Sequence, residues 1–365
     1  MDCWRTLLLL SLLLTACRAA PVASERGGAA SAPAVEAPSA PAPSAPPAPL
    51  EAVRVGTVGS ATDAIFYWAQ ERGYLREQGL ELDVTVFNGA QQMIAPLGTD
   101  QLDVGAGGPG PGLFNAILRG VNVRIVADRS RAAPPARNQC LVVRKSLLDS
   151  GAVRSFADLR GRVFAENVPA VLTTAIVERE LQRAGLSLED VTRTTLSFPD
   201  MLVGFANDAV DFAVLVEPFI TLGEQRELLR CWKYTSELQP HFQIAVVLYG
   251  PAFAEQRTEL ARRFMVAYLR AVRDHHRAFF GDGAHRAELI RLMGRVGGIS
   301  DLELLERLGP SWMDPNGEVN VESLRDTQRW YVGRGEQIGE VDFDRVVDSR
   351  FVEYALAQLG RYPTP

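Results

Sequence analysis

Between residues 53 and 128, short runs of apolar and β-branched residues alternate with stretches whose apolar positions recur at helical spacing. Val53 to Val58 reads as a strand, Thr62 to Arg72 as a helix, Leu80 to Phe87 as a strand and Ala90 to Leu97 as a helix. Leu102 to Gly105, Pro111 to Arg119 and Val123 to Ala127 continue the series as strand, helix and strand. Ser60 with Asp63 has capping-box spacing, and Gly73 stands where a left-handed residue ends a helix. This alternation predicts an α/β domain with a mostly parallel sheet covered on both faces.

The same pattern restarts after Gln139. Cys140 to Val143, Val163 to Ala165 and Phe212 to Val216 read as strands, with helices over Leu172 to Ala184 and Met201 to Ala206. An internal match supports two related lobes: Met93, Asp100 and Asp103 recur at one offset as Met201, Asp208 and Asp211, each set spanning a helix, a tight turn and a buried strand. From Ala252 the chain is mainly helical, and Leu260, Phe264, Ala267, Tyr268, Ala271, Val272 and Phe279 share one face that must pack on a lobe. The apolar run Phe242 to Leu248 returns the chain to the first lobe. The expected division is residues 51–138 with 243–365 as lobe 1 and 139–242 as lobe 2, with a hinge where the chain crosses near 137–143 and 242–248.

The first fifty residues follow a different pattern. Arg5, a leucine-rich stretch of roughly ten residues and Leu14-Thr15-Ala16-Cys17 read as a lipoprotein signal, too short to span a bilayer, the alternative being an ordinary cleaved signal peptide. Residues 1–17 are expected to be the leader, with Cys17 lipidated and anchoring the chain through buried methylenes at about 0.8 kcal/mol each. Residues 18–50 are nearly all Ala, Pro, Ser and Gly with almost no large apolar side chain, so they cannot build a core. Extended, this tether reaches on the order of 90 Å. The expected location is the cell envelope, on the outer side of the cytoplasmic membrane or in the periplasm.

With 365 residues and 47% hydrophobic content, the remainder suffices for two lobes of ordinary size. A net charge of -6, without a basic block or an aromatic-interleaved basic stripe, excludes nucleic acid as a partner. Of four cysteines, Cys140 and Cys231 remain in the lobes; spacing leaves open whether they form a disulfide or stay as buried thiols. No CxxC pair is present.

In open α/β sheets, ligands bind beyond the carboxyl ends of the strands, where loops enter helix amino termini. Four such loops carry candidate ligand contacts: Ser60, Thr62 and Asp63; Gly108, Pro109 and Gly110 within Gly107-Gly-Pro-Gly-Pro-Gly112; Asn167; and Glu217, which the internal offset places opposite the glycine-rich loop. The glycines suit close backbone approach to a ligand or, equally, a tight structural turn. The loop lacks the Gly-Lys-Ser/Thr of a nucleotide site. Phe66 is a candidate aromatic wall, Asn88 and Arg129 lie near strand ends, and His241 lies near the hinge. Asp342 and Asp344 read as a helix start. No hydrolase or metal-spaced motif occurs, so neither a cofactor nor a metal is expected, nor enzymatic activity.

The run from Phe66-Tyr-Trp-Ala-Gln-Glu-Arg-Gly73 to Gly79-Leu-Glu-Leu, then Gln101-Leu-Asp103-Val-Gly105, Arg119-Gly120 to Val126-Ala-Asp128, and Phe205 to Glu217-Pro218, strongly resembles solute-binding proteins of ABC importers in the nitrate, sulfonate, taurine and thiamine-precursor group. The resemblance covers Val53 to the chain end. It implies a type II periplasmic-binding fold, a cleft between two lobes, hinge closure on a small molecule and delivery to permease subunits, with the receptor a monomer. The ligand it implies is a sulfonate- or nitrate-type anion or a heteroaromatic such as a thiamine precursor or riboflavin. Sparse basic residues at the predicted cleft loops weaken a strongly anionic ligand. The alternatives are a precursor-processing enzyme on the same scaffold and a ligand-sensing module.

Overall fold

A computed structural model describes residues 49–87, 90–167 and 172–363. Expectations for the leader, Cys17, nearly all of the tether, Asn88 and the loop following Asn167 lie outside these residues. The strands run Glu51–Thr57 (β1), Leu80–Val86 (β2), Val104–Gly107 (β3), Arg124–Ala132 (β4), Gln139–Arg144 (β5), Val163–Glu166 (β6), Thr192–Thr195 (β7), Phe212–Val216 (β8), Leu229–Tyr234 (β9) and Phe242–Tyr249 (β10). The helices that frame the site are Ala64–Glu71 (α1), Pro111–Leu118 (α2), Leu172–Arg183 (α3), Phe198–Ala206 (α4), Phe219–Gln225 (α5), Thr258–Phe280 (α6), Arg286–Gly297 (α7), Leu302–Arg307 (α8), Val321–Gly333 (α9) and Arg350–Leu359 (α10).

Two five-stranded sheets form, in the orders β2-β1-β3-β10-β4 and β7-β6-β8-β5-β9. This is the expected two-lobed α/β architecture with mostly parallel sheets, one strand being reversed in each. β1, β2 and β3 are parallel, as are β6, β7 and β8, but β10 runs antiparallel to β3 and β4, and β5 antiparallel to β8 and β9. The reversed strands are the two that carry the chain between lobes. Each comes from the other lobe rather than from a crossover helix within its own, so the right-handed βαβ rule that makes neighbours parallel does not govern it.

Helix α6 explains much of the first core. Leu260, Phe264, Ala267, Tyr268, Ala271 and Val272 are all buried, and they pack with Phe66, Trp68, Tyr249 and Phe351 from α1, β10 and α10. Beneath the second sheet, Phe164 and Phe212 stack with centroids 5.1 Å apart in a core with Val177, Leu181 and Leu186. Gly73 has φ +76°, ending α1 as its position predicts, with nothing that a β-carbon would strike. The stretch from Ala90 to Leu97 is a 3-10 turn over Ala90–Met93 followed by a short helix, Ile94–Gly98. β7 is a sheet-edge strand of sequence Thr-Arg-Thr-Thr; its polar residues hid it from a hydrophobic reading and suit an edge. Cys140 and Cys231 form a disulfide joining β5 to β9, which answers the question that spacing left open.

Candidate functional site

The carboxyl end of β1 turns at Val58 to Asp63 into α1, and the turn is organised around the Asp63 carboxylate. Its Oδ2 accepts the Val58 N–H at 3.1 Å, the Ser60 N–H at 2.9 Å and the Ser60 hydroxyl at 2.9 Å. Its Oδ1 accepts Nη2 of Arg129 at 3.1 Å, and both side chains are 4% exposed. Arg129 comes from β4 and lies over the Phe66 ring, 5.7 Å from its centroid. Each charge alone in this interior would be costly, so removing either partner strands the other.

Glu217 follows β8. Its Oε1 accepts the Thr221 hydroxyl at 3.0 Å and the Gly309 N–H at 3.1 Å, while Oε2 accepts the Thr221 N–H at 3.1 Å. Burial pushes its pKa above the usual carboxylate range, against the lowering effect of these donors. Gly309 belongs to the segment after α8, which folds across the crossing between the lobes: Pro310 O accepts the Arg137 N–H and Trp312 O accepts the Arg131 N–H.

Between these two carboxylates lies a cavity of about 260 Å³, lined from both lobes, near the small end of the range for ligand sites. Val58, Ala106, Val216, Ile244, Met293 and Leu308 give it apolar walls, and Ser130, Asn138, Gln139 and Ser311 give it uncharged polar groups. Among the described residues, the Ser311 hydroxyl is buried without a hydrogen-bond partner, as is Nε of Arg129. The arrangement suits recognition: donors, acceptors and apolar walls around a half-open cleft. Neither His nor Cys lines this cavity among the described residues.

Ser60, Thr62, Asp63, Arg129 and Glu217 thus come together around the cavity. Phe66 lies in the core beneath Arg129, 1% exposed, and supports the guanidinium instead of walling the cavity. Of the glycine-rich loop only Gly107 reaches the lining; Gly108, Pro109 and Gly110 turn away, Gly110 closing a tight turn to Gly108 O before α2. Asn167 follows β6 and lies outside the lining. His241 faces solvent at the other side of the crossing, at φ +63°, with its N–H on Ala132 O and its carbonyl taking Nδ2 of Asn320. Sequence reasoning missed Ser130, Asn138, Gln139, Met293, Gly309 and Ser311. The last three come from the C-terminal region, where helical periodicity reports packing and gives no sign of which residue reaches a distant cleft.

Contacts also close the lobes together away from the cavity. Glu178 of α3 accepts Nε1 of Trp330 on α9 at 2.6 Å and pairs with Arg334, just past the end of α9, at 3.3 Å, and Arg179 pairs with Asp326 at 3.2 Å. On the other flank, Leu222 of α5 packs against the cluster of Leu304, Leu305 and Leu308.

A family model described as NMT1/THI5 like matches residues 61–277. No curated protein matches the chain in sequence. Among solved structures, the periplasmic aliphatic sulphonate binding protein SsuA from Escherichia coli aligns with a TM-score of 0.64 at 18% identity, over 82% of this chain and 92% of its own. The periplasmic nitrate-binding protein NrtA from Synechocystis PCC 6803 gives 0.66 at 13% identity, over 85% and 89%. The desulfurization enzyme DSZB gives 0.61 at 17% identity, over 85% and 99%. At these identities the likeness is one of fold.

Proposed function

The chain belongs to the NMT1/THI5-like family, and on that premise we propose that it is an extracytoplasmic solute-binding protein of an ABC importer, capturing a small organic molecule between its lobes for a membrane permease. The observation that carries this reading is the half-open cavity at the crossing, walled by both sheets and bridged by Glu217 to Gly309. Closure then follows from the ligand touching both walls at once, which favours the closed form by its differential affinity for it. The likeness to the sulphonate- and nitrate-binding proteins supports this use of the fold. The Cys140–Cys231 disulfide supports an oxidising compartment, as an envelope protein requires. Residues 51–138 with 243–365, and 139–242, are the proposed lobes, and lipidation at Cys17 with the tether behind it is the proposed anchor. Deleting the chain from its host should abolish high-affinity uptake of the solute that the purified protein binds; unchanged uptake contradicts the importer role.

The likeness to DSZB favours a second reading, an enzyme on the same scaffold. The polar groups lining the cavity are carboxylates, one guanidinium, amides and hydroxyls, which bind and orient more readily than they attack. Recovery of the solute unchanged after long incubation with the protein supports the receptor; a converted product supports the enzyme.

A further inference from the structure

We infer that this cleft takes an uncharged organic molecule bearing an N–H or O–H donor, and that the protein's own Asp63 fills the place where an oxyanion would sit. The inference rests on the receptor reading above and narrows it.

Two backbone N–H groups, one hydroxyl and one guanidinium converge on the Asp63 carboxylate at the entrance to α1. That is the donor set a bound sulfonate, nitrate or carboxylate would need, and it is satisfied within the chain. Arg129 is the one cationic side chain lining the cavity among the described residues, and its charge is spent on Asp63. By sequence, residues 88–89 and 168–171 hold no Lys, Arg or His either. An anion entering this cavity would meet two carboxylates, Asp63 and Glu217, and no unpaired cation, so its hydration would be exchanged for hydroxyl, amide and Arg129 Nε donors beside two like charges. An uncharged ligand meets a different inventory. Among the described residues, Glu217 Oε2 receives a single hydrogen bond, from Thr221, and has acceptor capacity left for a ligand donor. Ser311 offers a buried hydroxyl with no partner, and the Asn138 and Gln139 amides lie on the same walls.

The test uses the full chain in two ways. Dialysed against a yeast-extract small-molecule fraction and analysed by mass spectrometry, the protein should retain a compound that is uncharged at neutral pH. Retention of a sulfonate, nitrate or carboxylate overturns this inference and leaves the receptor reading standing; retention of nothing contradicts both. In the second arm, millimolar nitrate and methanesulfonate should leave the melting temperature of the wild-type protein no higher than chloride does, and stabilisation of the wild type by either anion overturns the inference. Asp63→Ala vacates the anion position beside Arg129, so nitrate or methanesulfonate should raise its melting temperature above that in chloride. A folded Asp63→Ala protein that ignores both anions also counts against the inference. If that variant does not fold, the wild-type titration and the dialysis still decide it.

Discussion

At the residue scale, three ionisable groups, Glu217, His275 and Asp128, have separable roles. Glu217 bridges the lobes through Gly309 and retains a free acceptor position, so Glu217→Ala removes a ligand partner and a closure contact together. A hydrogen bond to a charged group is worth about 1.5–3 kcal/mol, so binding of the retained solute should weaken about 10- to 100-fold by calorimetry with the fold intact. Unchanged affinity would place the solute elsewhere. His275 on α6 tests the core. Burial, aided by the positive charge of Arg129 and by His276, pushes its pKa down to about 3, and its Nδ1 lacks a partner. A base held neutral in the fold protonates more readily when unfolded, so stability is complete above about pH 6.5 and falls as the pH drops toward 3. Asp128 acts in the opposite sense: burial raises its pKa to about 6, so the folded state holds that proton more tightly and gains relative stability as the pH falls through 6. Wild type and His275→Gln share the Asp128 effect. The difference between their unfolding free energies at neutral pH and at about pH 4.5 therefore isolates the histidine, and should shift by about 2–3 kcal/mol in favour of the variant. Parallel pH profiles would contradict this account of His275.

At the scale of elements, the sequence made visible whatever carries strong periodicity or a motif. β1, β2 and β8 lie where alternating or continuous apolar runs placed them, and the one-sided pattern from Leu260 to Phe279 became the buried face of α6. The Ser60-Asp63 spacing announced a capping box, which the structure contains. That Asp63 also neutralises Arg129 was not legible, because the two residues are distant in sequence and meet only when β4 enters the sheet. β7 escaped notice for its polarity, and the antiparallel direction of β5 and β10 depends on where the chain crosses, which local pattern does not encode. The disulfide ties β5 to β9 within the second sheet. Closing a loop with a sequence separation of 91 restricts the unfolded chain, so Cys140→Ser with Cys231→Ser should cost about 2–5 kcal/mol in denaturant unfolding. A double variant as stable as wild type would show that the bridge adds nothing to the fold.

For the whole molecule, closure is held on two flanks by different chemistry. One flank has Glu178 with Trp330 and Arg334, and the other has Leu222 among the leucines of α8. Trp330→Phe keeps the ring and removes the N–H donor, so the ligand-free ensemble should shift toward open forms and its radius of gyration by X-ray scattering should rise. An unchanged scattering profile would show that this bond does not hold the lobes. The cavity itself is the central claim, and occupancy under non-denaturing mass spectrometry tests it most directly. Ala245 lies on the β10 wall, so Ala245→Trp fills the cavity from that side. Protein equilibrated with the small-molecule fraction should carry one bound molecule per chain as wild type and none as Ala245→Trp; equal occupancy in the two proteins would contradict the account.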